Sequence, residues 1–183
     1  VHTQHALTAA SVLSNLQPSV QASEIVADGV AVVSPVKGMT FLLVELSSLE
    51  ALGRIRLGAR APQDVVQRDQ DWDVGYTGSY FYFVETASRG DDGGEKRKSW
   101  KIRSRMVDGS MEDPATGSAA CALSGFLALR ERTSASFEIT QGVEMGRESD
   151  IGVSVTLRGD GEGVERLELS GQSVPVMEGT LFV

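Results

Sequence analysis

The chemistry-bearing residues of this chain gather between Ser110 and Arg130, in the string SMEDPATGSAACALSGFLALR. Two carboxylates, Glu112 and Asp113, and a proline lead into Thr116-Gly117-Ser118. A helix-length run follows, with no charge until Arg130. Residues Ser118–Arg130 are apolar or small all round, the pattern of a helix buried on every side. The first-turn N–H groups of such a helix have no partner within it. When buried, they must meet side chains, water or a ligand. Thr116 or Ser118 can cap them, and Gly117 lets a bound group come close to the backbone. Free amides at the positive end of the helix dipole favour an anion, either a carboxylate or a phosphate. Asp113, held by the stiff Asp113-Pro114 step, is then the candidate acid for proton transfer. A plainer alternative fits the same residue types, because an Asp-Pro turn and a Ser/Thr cap also open helices with no function. Spacing alone leaves both readings open.

The elements that must position this stretch are short. His5–Leu16 has good helix formers and ends before Gln17-Pro18, where proline stops a helix. Residues 30–34 (VAVVS) and 40–46 (TFLLVEL) are β-rich runs around a PVKGM turn. Ser48–Ile55 is predicted as a short helix capped by Ser48. Residues 57–75 read as a connection with room for one strand. Residues 77–86 and 99–107 are predicted as neighbouring strands, flanking a solvated Gly-rich, charged loop at 88–98. The tail after the helix supplies four further β-rich runs, SFEITQG, IGVSVTL, ERLELSG and VPVMEG, with GDGEGVE (159–165) as a hairpin turn. The order implies an α+β fold, a mostly antiparallel sheet wrapped around one buried central helix.

Composition removes whole classes of function. Seventeen basic against 25 acidic residues give a net charge of −8, which argues against nucleic acid and anionic membrane as partners. No apolar run is long enough to span a bilayer and no signal-peptide pattern opens the chain. The single cysteine, Cys121, rules out an internal disulfide and suits a reducing compartment, so a cytoplasmic location is expected. The chain starts with Val1 rather than methionine, which fits a processed or partial chain. His2 and His5 lack a third ligand, so no metal site is predicted. Arg105 alternates with apolar residues and has two uses, structural pairing or holding the motif loop. Arg147 is expected to stabilise a turn. Tyr80, Tyr82 and their aromatic neighbours are expected in the core or on a sheet face.

The string MEDPATGSA resembles the C-terminal motif of the PhzF-like phenazine-biosynthesis family, relatives of diaminopimelate epimerase in fold. KGMTFLLVELSSLEAL (37–52), SRMVDGSMEDPATGS, ITQGVEMGRES (139–149) and LELSGQSVPVMEG (167–179) are similar to further family segments. The resemblance implies a two-lobed isomerase whose two helix mouths face each other across a cleft. It implies proton transfer on a small carboxylated substrate with no cofactor, metal or nucleotide. On that basis Asp113 is the catalytic acid, and Thr116, Gly117 and Ser118 bind the substrate carboxylate. Residues 36–183 correspond to the C-terminal lobe, and residues 1–35 to an inter-lobe connection with a helix and a strand.

Two departures matter. The family's principal general acid/base is a glutamate of the N-terminal lobe, and nothing in residues 1–35 resembles that lobe. The chain alone is therefore expected to be inactive, and to need the missing lobe or self-association. The racemase relatives carry a cysteine just before their Thr-Gly step, where this chain has Pro114-Ala115, so a two-thiol mechanism is excluded and Cys121 is expected as buried filler. A second function class stays open, a non-catalytic small-anion-binding or protein-interaction module.

Overall fold

A computed structural model describes residues 1–4, 16–58, 69–72, 75, 78–92 and 95–180, with side chains for all of these except 89–92 and 95–96. The helix expected at His5–Leu16 and most of the connection expected at 57–75 lie outside the described residues.

Among the described residues nine strands form one sheet: β1 (His2–Gln4), β2 (Ile25–Val36), β3 (Met39–Leu46), β4 (Gly78–Asp92), β5 (Glu95–Asp108), β6 (Met111–Asp113), β7 (Ala135–Gln141), β8 (Ser149–Leu157) and β9 (Val164–Gly171). Their order is β1-β2-β3-β4-β5-β7-β8-β9, with β6 paired to β5 off that path. All pairings are antiparallel except β3/β4 and β5/β7, which run parallel. Parallel neighbours need a long crossover, and between β5 and β7 that crossover is β6 followed by the helix α2 (Gly117–Glu131).

Helix α2 packs on β2 and β3 towards one end of the sheet and on β7, β8 and β9 at the other. One helix can touch both ends only if the sheet curls, and the sheet is indeed a half-barrel with α2 against its concave face. The side chains that allow this are small. Ala119, Ala120, Ala122, Ser124, Gly125 and Ala128 are all buried, and Leu123 and Leu127 fill the space between them and the strands. Facing them are Val33, Phe41, Tyr80, Ile102, Phe137, Ile139, Val153 and Val155. Strand alternation places the other face of β2, β3 and β4 in a second apolar cluster with the short helix α1 (Leu49–Gly53), through Val32, Leu42, Val44, Phe81 and Leu52. Ser48 caps α1 as expected, its hydroxyl accepting from the Ala51 amide at 3.1 Å.

Two sequence expectations fail here. Residues 88–92 and 95–98 belong to the paired strands β4 and β5, with the ladder continuing to Asp92 opposite Glu95. Backbone pairing with an existing two-stranded ladder outweighs the local preference of glycine and charge for a loop. Residues 174–179 pair with nothing in the sheet, and Val174, Val176 and Met177 are exposed, so the last β-rich run is not a strand here. The turn at 159–165 does close the β8/β9 hairpin, and Gly161 takes the positive φ of 70° that such a turn asks of it.

Candidate active site at the mouth of helix α2

Strand β6 is only three residues long and owes its place to a buried ion pair. Arg105, on β5, is 6% exposed. Its Nε and Nη2 donate to the two carboxylate oxygens of Glu112, each at 2.8 Å. Its Nη1 donates to the carbonyls of Leu52 and Ile55 at 3.1 Å, where α1 ends. One guanidinium therefore ties the C-terminal end of α1 to the strand that carries Asp113. The structural use of Arg105 is the one realised, as the fork of an arginine matches a carboxylate better than any other side chain.

The chain then turns. The Asp113 carboxylate accepts from the Ala115 amide at 3.3 Å and from the Thr116 hydroxyl at 2.7 Å. The Thr116 hydroxyl is thus occupied, and Thr116 makes no side-chain cap to α2, contrary to that sequence expectation. The residue that holds the turn is Gln141, which is wholly buried. Its carboxamide oxygen accepts from the Thr116 amide at 3.2 Å and from the Tyr80 hydroxyl at 3.1 Å. Its nitrogen donates to the Asp113 carbonyl at 2.6 Å and to the Thr116 hydroxyl at 2.9 Å. Behind it the Tyr80 hydroxyl meets Ser104, at 2.9 Å.

Sequence reasoning missed Gln141, Tyr80 and Ser104. A signal existed for the first: in ASFEITQ the inward positions are Ala135, Phe137, Ile139 and then Gln141. A glutamine in an apolar row must find partners for four hydrogen bonds, and only a polar turn can supply them.

The first hydrogen bond of α2 runs from the Ala120 amide to the Thr116 carbonyl at 3.0 Å. Among the described residues, the amides of Gly117 and Ser118 have no acceptor. Gly117 lines a hollow of about 460 Å³, together with Ala115, Glu148, Asp150, Leu169 and Ser170 among others. A Cβ placed on Gly117 would lie 2.7 Å from a methyl of Leu169, so the backbone here sits tight under that side chain. The amides attract an anion, while Glu148 and Asp150, also in the lining, repel one. A neighbouring hollow of about 540 Å³, lined by Glu138, Thr140, Asp150, Gly152, Ser170 and Gln172 among others, holds no residue of the Asp113–Ser118 turn.

The remaining candidates stand apart from this arrangement. Cys121 is half-buried one turn into α2, and burial pushes its thiol up, away from a nucleophilic thiolate. His2 stacks on Trp72 and meets Asp69 at 2.7 Å, while His5 lies outside the described residues. No group of three or more potential metal ligands occurs among the described residues. The Arg147 amide donates to the Gly142 carbonyl at 2.9 Å and so closes the turn after β7. No helix among the described residues is long and apolar enough to cross a membrane.

This turn, its buried glutamine and the uncapped helix coincide with the sequence model of phenazine biosynthesis-like proteins, which matches residues 20–179. The chain belongs to the phenazine biosynthesis-like family. Within the family's reach, it is 32% identical over 151 residues to an uncharacterised isomerase of Mesorhizobium japonicum, across 80% of this chain and 46% of that protein. In three dimensions it is similar to the crystal structure of the Bacillus anthracis phenazine biosynthesis protein of the PhzF family. There the TM-score is 0.62 and the identity 15%, over 92% of this chain and 56% of that one. The chain thus spans about half the length of the family members it matches. The fold they share is the sheet-rich half-barrel described above.

Proposed function

We propose that this chain is the C-terminal half of a PhzF-like isomerase that moves a proton on a small carboxylated substrate without a cofactor or metal. Residues 36–183 form its lobe and residues 1–35 the connection to the other half. The observation that carries the reading is the pair of acceptor-free amides, Gly117 and Ser118, at a helix mouth just after Asp113 where Ala115 and Gly117 line a hollow. A substrate carboxylate accepts from these amides, with the Ser118 hydroxyl and the Thr116 turn as its frame. Glu148 and Asp150 in the same lining disfavour a second acid group, which points to a monocarboxylate.

In the reaction a C–H bond near the carboxylate breaks and its proton passes to a catalytic group. The electron pair stays on the substrate, spread toward the carboxylate that the amides hold, and the proton returns at another position. Asp113 is the acid/base group of this half. Its counterpart belongs to the missing half, whose helix mouth would face this one, so the chain alone does not turn over. A cytoplasmic location fits the one reduced cysteine.

The test uses the chain labelled with ¹⁵N and titrated with benzoate. Two hydrogen bonds to a charged group, at about 2 kcal/mol each, put the dissociation constant near ~1 mM. The Gly117 and Ser118 amide signals should shift saturably with benzoate and stay still with benzamide. Equal response to both, or response elsewhere only, removes the carboxylate site.

A further inference from the structure

Thr116 carries a hydroxyl whose one proton has a choice of direction, and the buried residues behind it remove that choice. Carboxamide oxygen and nitrogen look alike in outline, so the orientation of Gln141 must be argued from its neighbours. The Thr116 amide can only donate and the Asp113 carbonyl can only accept. They lie against opposite ends of the same carboxamide, at 3.2 and 2.6 Å. Oxygen must therefore face the Thr116 amide, and nitrogen the Asp113 carbonyl. A flip would break both bonds at once.

The rest follows link by link. The second lone pair of the carboxamide oxygen takes the Tyr80 proton, so Tyr80 has none left for Ser104 and accepts the Ser104 proton instead. Burial pushes the Tyr80 phenol far above its ordinary range, so it remains a donor wherever the protein is folded. The second proton on the carboxamide nitrogen goes to the Thr116 hydroxyl oxygen, and the Thr116 proton then has one place to go, the Asp113 carboxylate at 2.7 Å. Ser104, Tyr80, Gln141 and Thr116 thus form one chain of donors, each donating to the next, that ends on the Asp113 carboxylate.

We propose that Gln141 is the positioning residue of Asp113: seated by Tyr80 and Ser104, it fixes the sense of the Thr116 hydroxyl and so sets Asp113 to accept a proton first. This rests on the reading of Asp113 as the acid/base group, and assigns that group its order of action. One oxygen of Asp113 is engaged by the hydroxyl. The other meets a long contact from the Ala115 amide, at 3.3 Å, and is the one this proposal leaves for the substrate proton.

The experiment follows the Thr116 hydroxyl proton by NMR in the ¹³C,¹⁵N-labelled chain, together with benzoate binding. In the unaltered protein this proton should exchange with water slowly enough to be seen and should show a cross-peak to Asp113. In Gln141→Glu an ionised side chain can only accept, so the hydroxyl turns to residue 141 and the Asp113 cross-peak disappears. In Tyr80→Phe, which keeps the ring and the packing, loss of one hydrogen bond should speed exchange of the hydroxyl about fivefold to tenfold. Benzoate affinity should stay within about twofold in Tyr80→Phe, which adds no charge near the amides that bind it, and exchange of the Leu123 amide in mid-helix should not change in either variant. If the Thr116 proton keeps its rate and its cross-peak in both variants, the positioning role is overturned. If the variants behave as expected but benzoate never moves Gly117 and Ser118, the donor chain stands as geometry, and the catalytic reading, with the order of action assigned to Asp113, falls.

Discussion

Replacing Arg105 with methionine tests whether the buried ion pair is what holds Asp113 in place. The substitution keeps most of the side-chain length and removes the fork. Glu112, whose side chain is 6% exposed, would then be left charged and unpaired in the interior. Breaking one side of a buried pair costs about 3–5 kcal/mol, and the freed carbonyls of Leu52 and Ile55 fall within that cost. For a domain of this size each kcal/mol lowers the melting temperature by about 2–4 °C, so a fall of roughly 6–20 °C is expected. The double variant Arg105→Met/Glu112→Leu separates the causes. It removes the orphaned charge and leaves only the carbonyls without their donor, at about 1–3 kcal/mol. The double variant should therefore be more stable than Arg105→Met alone. Urea unfolding of the wild type, both single variants and the double variant completes the cycle. A loss below about 1 kcal/mol for Arg105→Met, or strict additivity of the two changes, would refute the claim that Glu112 is held by Arg105.

Asp113→Asn, made in the protein supplied with both halves, should remove nearly all deuterium wash-in from D₂O to small monocarboxylates while the melting temperature stays within a few degrees; undiminished wash-in would leave Asp113 as a turn residue. Gly117→Ala should fold, because the nearest obstacle is the movable methyl of Leu169, yet weaken benzoate about tenfold by pushing that side chain over the amides; unchanged affinity in the same NMR titration would move the site elsewhere. Burial raises Tyr80, so at alkaline pH the unfolded chain loses this proton before the folded one does. Stability should then decline as pH rises past about 10, and Tyr80→Phe should lessen that decline in urea unfolding at pH 9 and 11, the remainder belonging in part to Tyr82, which burial also raises. Cys121, likewise raised by burial, should react with iodoacetamide more slowly than free cysteine at pH 8.5; an equal rate would contradict its placement in α2.

Much of the architecture was legible because it depends on patterns that few residues can satisfy. The uncharged run after Ser118 could only be an interior helix, and Ile151, Val153, Val155 and Leu157 alternate inward along β8 as their spacing demands. The helix mouth was legible for a related reason, since free amides follow from any helix start without a cap. The errors came where distant partners decide. Gly90, Asp91 and Asp92 have loop chemistry, and they extend because Arg97, Lys96 and Glu95 return beside them. Thr116 has cap chemistry, yet its hydroxyl is claimed by Asp113 and by Gln141, a residue 25 positions away. Tyr80 looked like core and is core. Its hydroxyl joins the site only because β4 and β7 flank β5, so that Tyr80 reaches Ser104 on β5 and Gln141 on β7, which no local pattern of residues announces.

Among the described residues β9 pairs with β8 alone, and its other edge offers a ready-made template for a stray strand. Its sequence answers that hazard. Glu165, Arg166 and Glu168 stud the rim, and an incoming apolar segment would have to strip water from each of them. Charges placed in this way disfavour the docking of a stray apolar strand along β9.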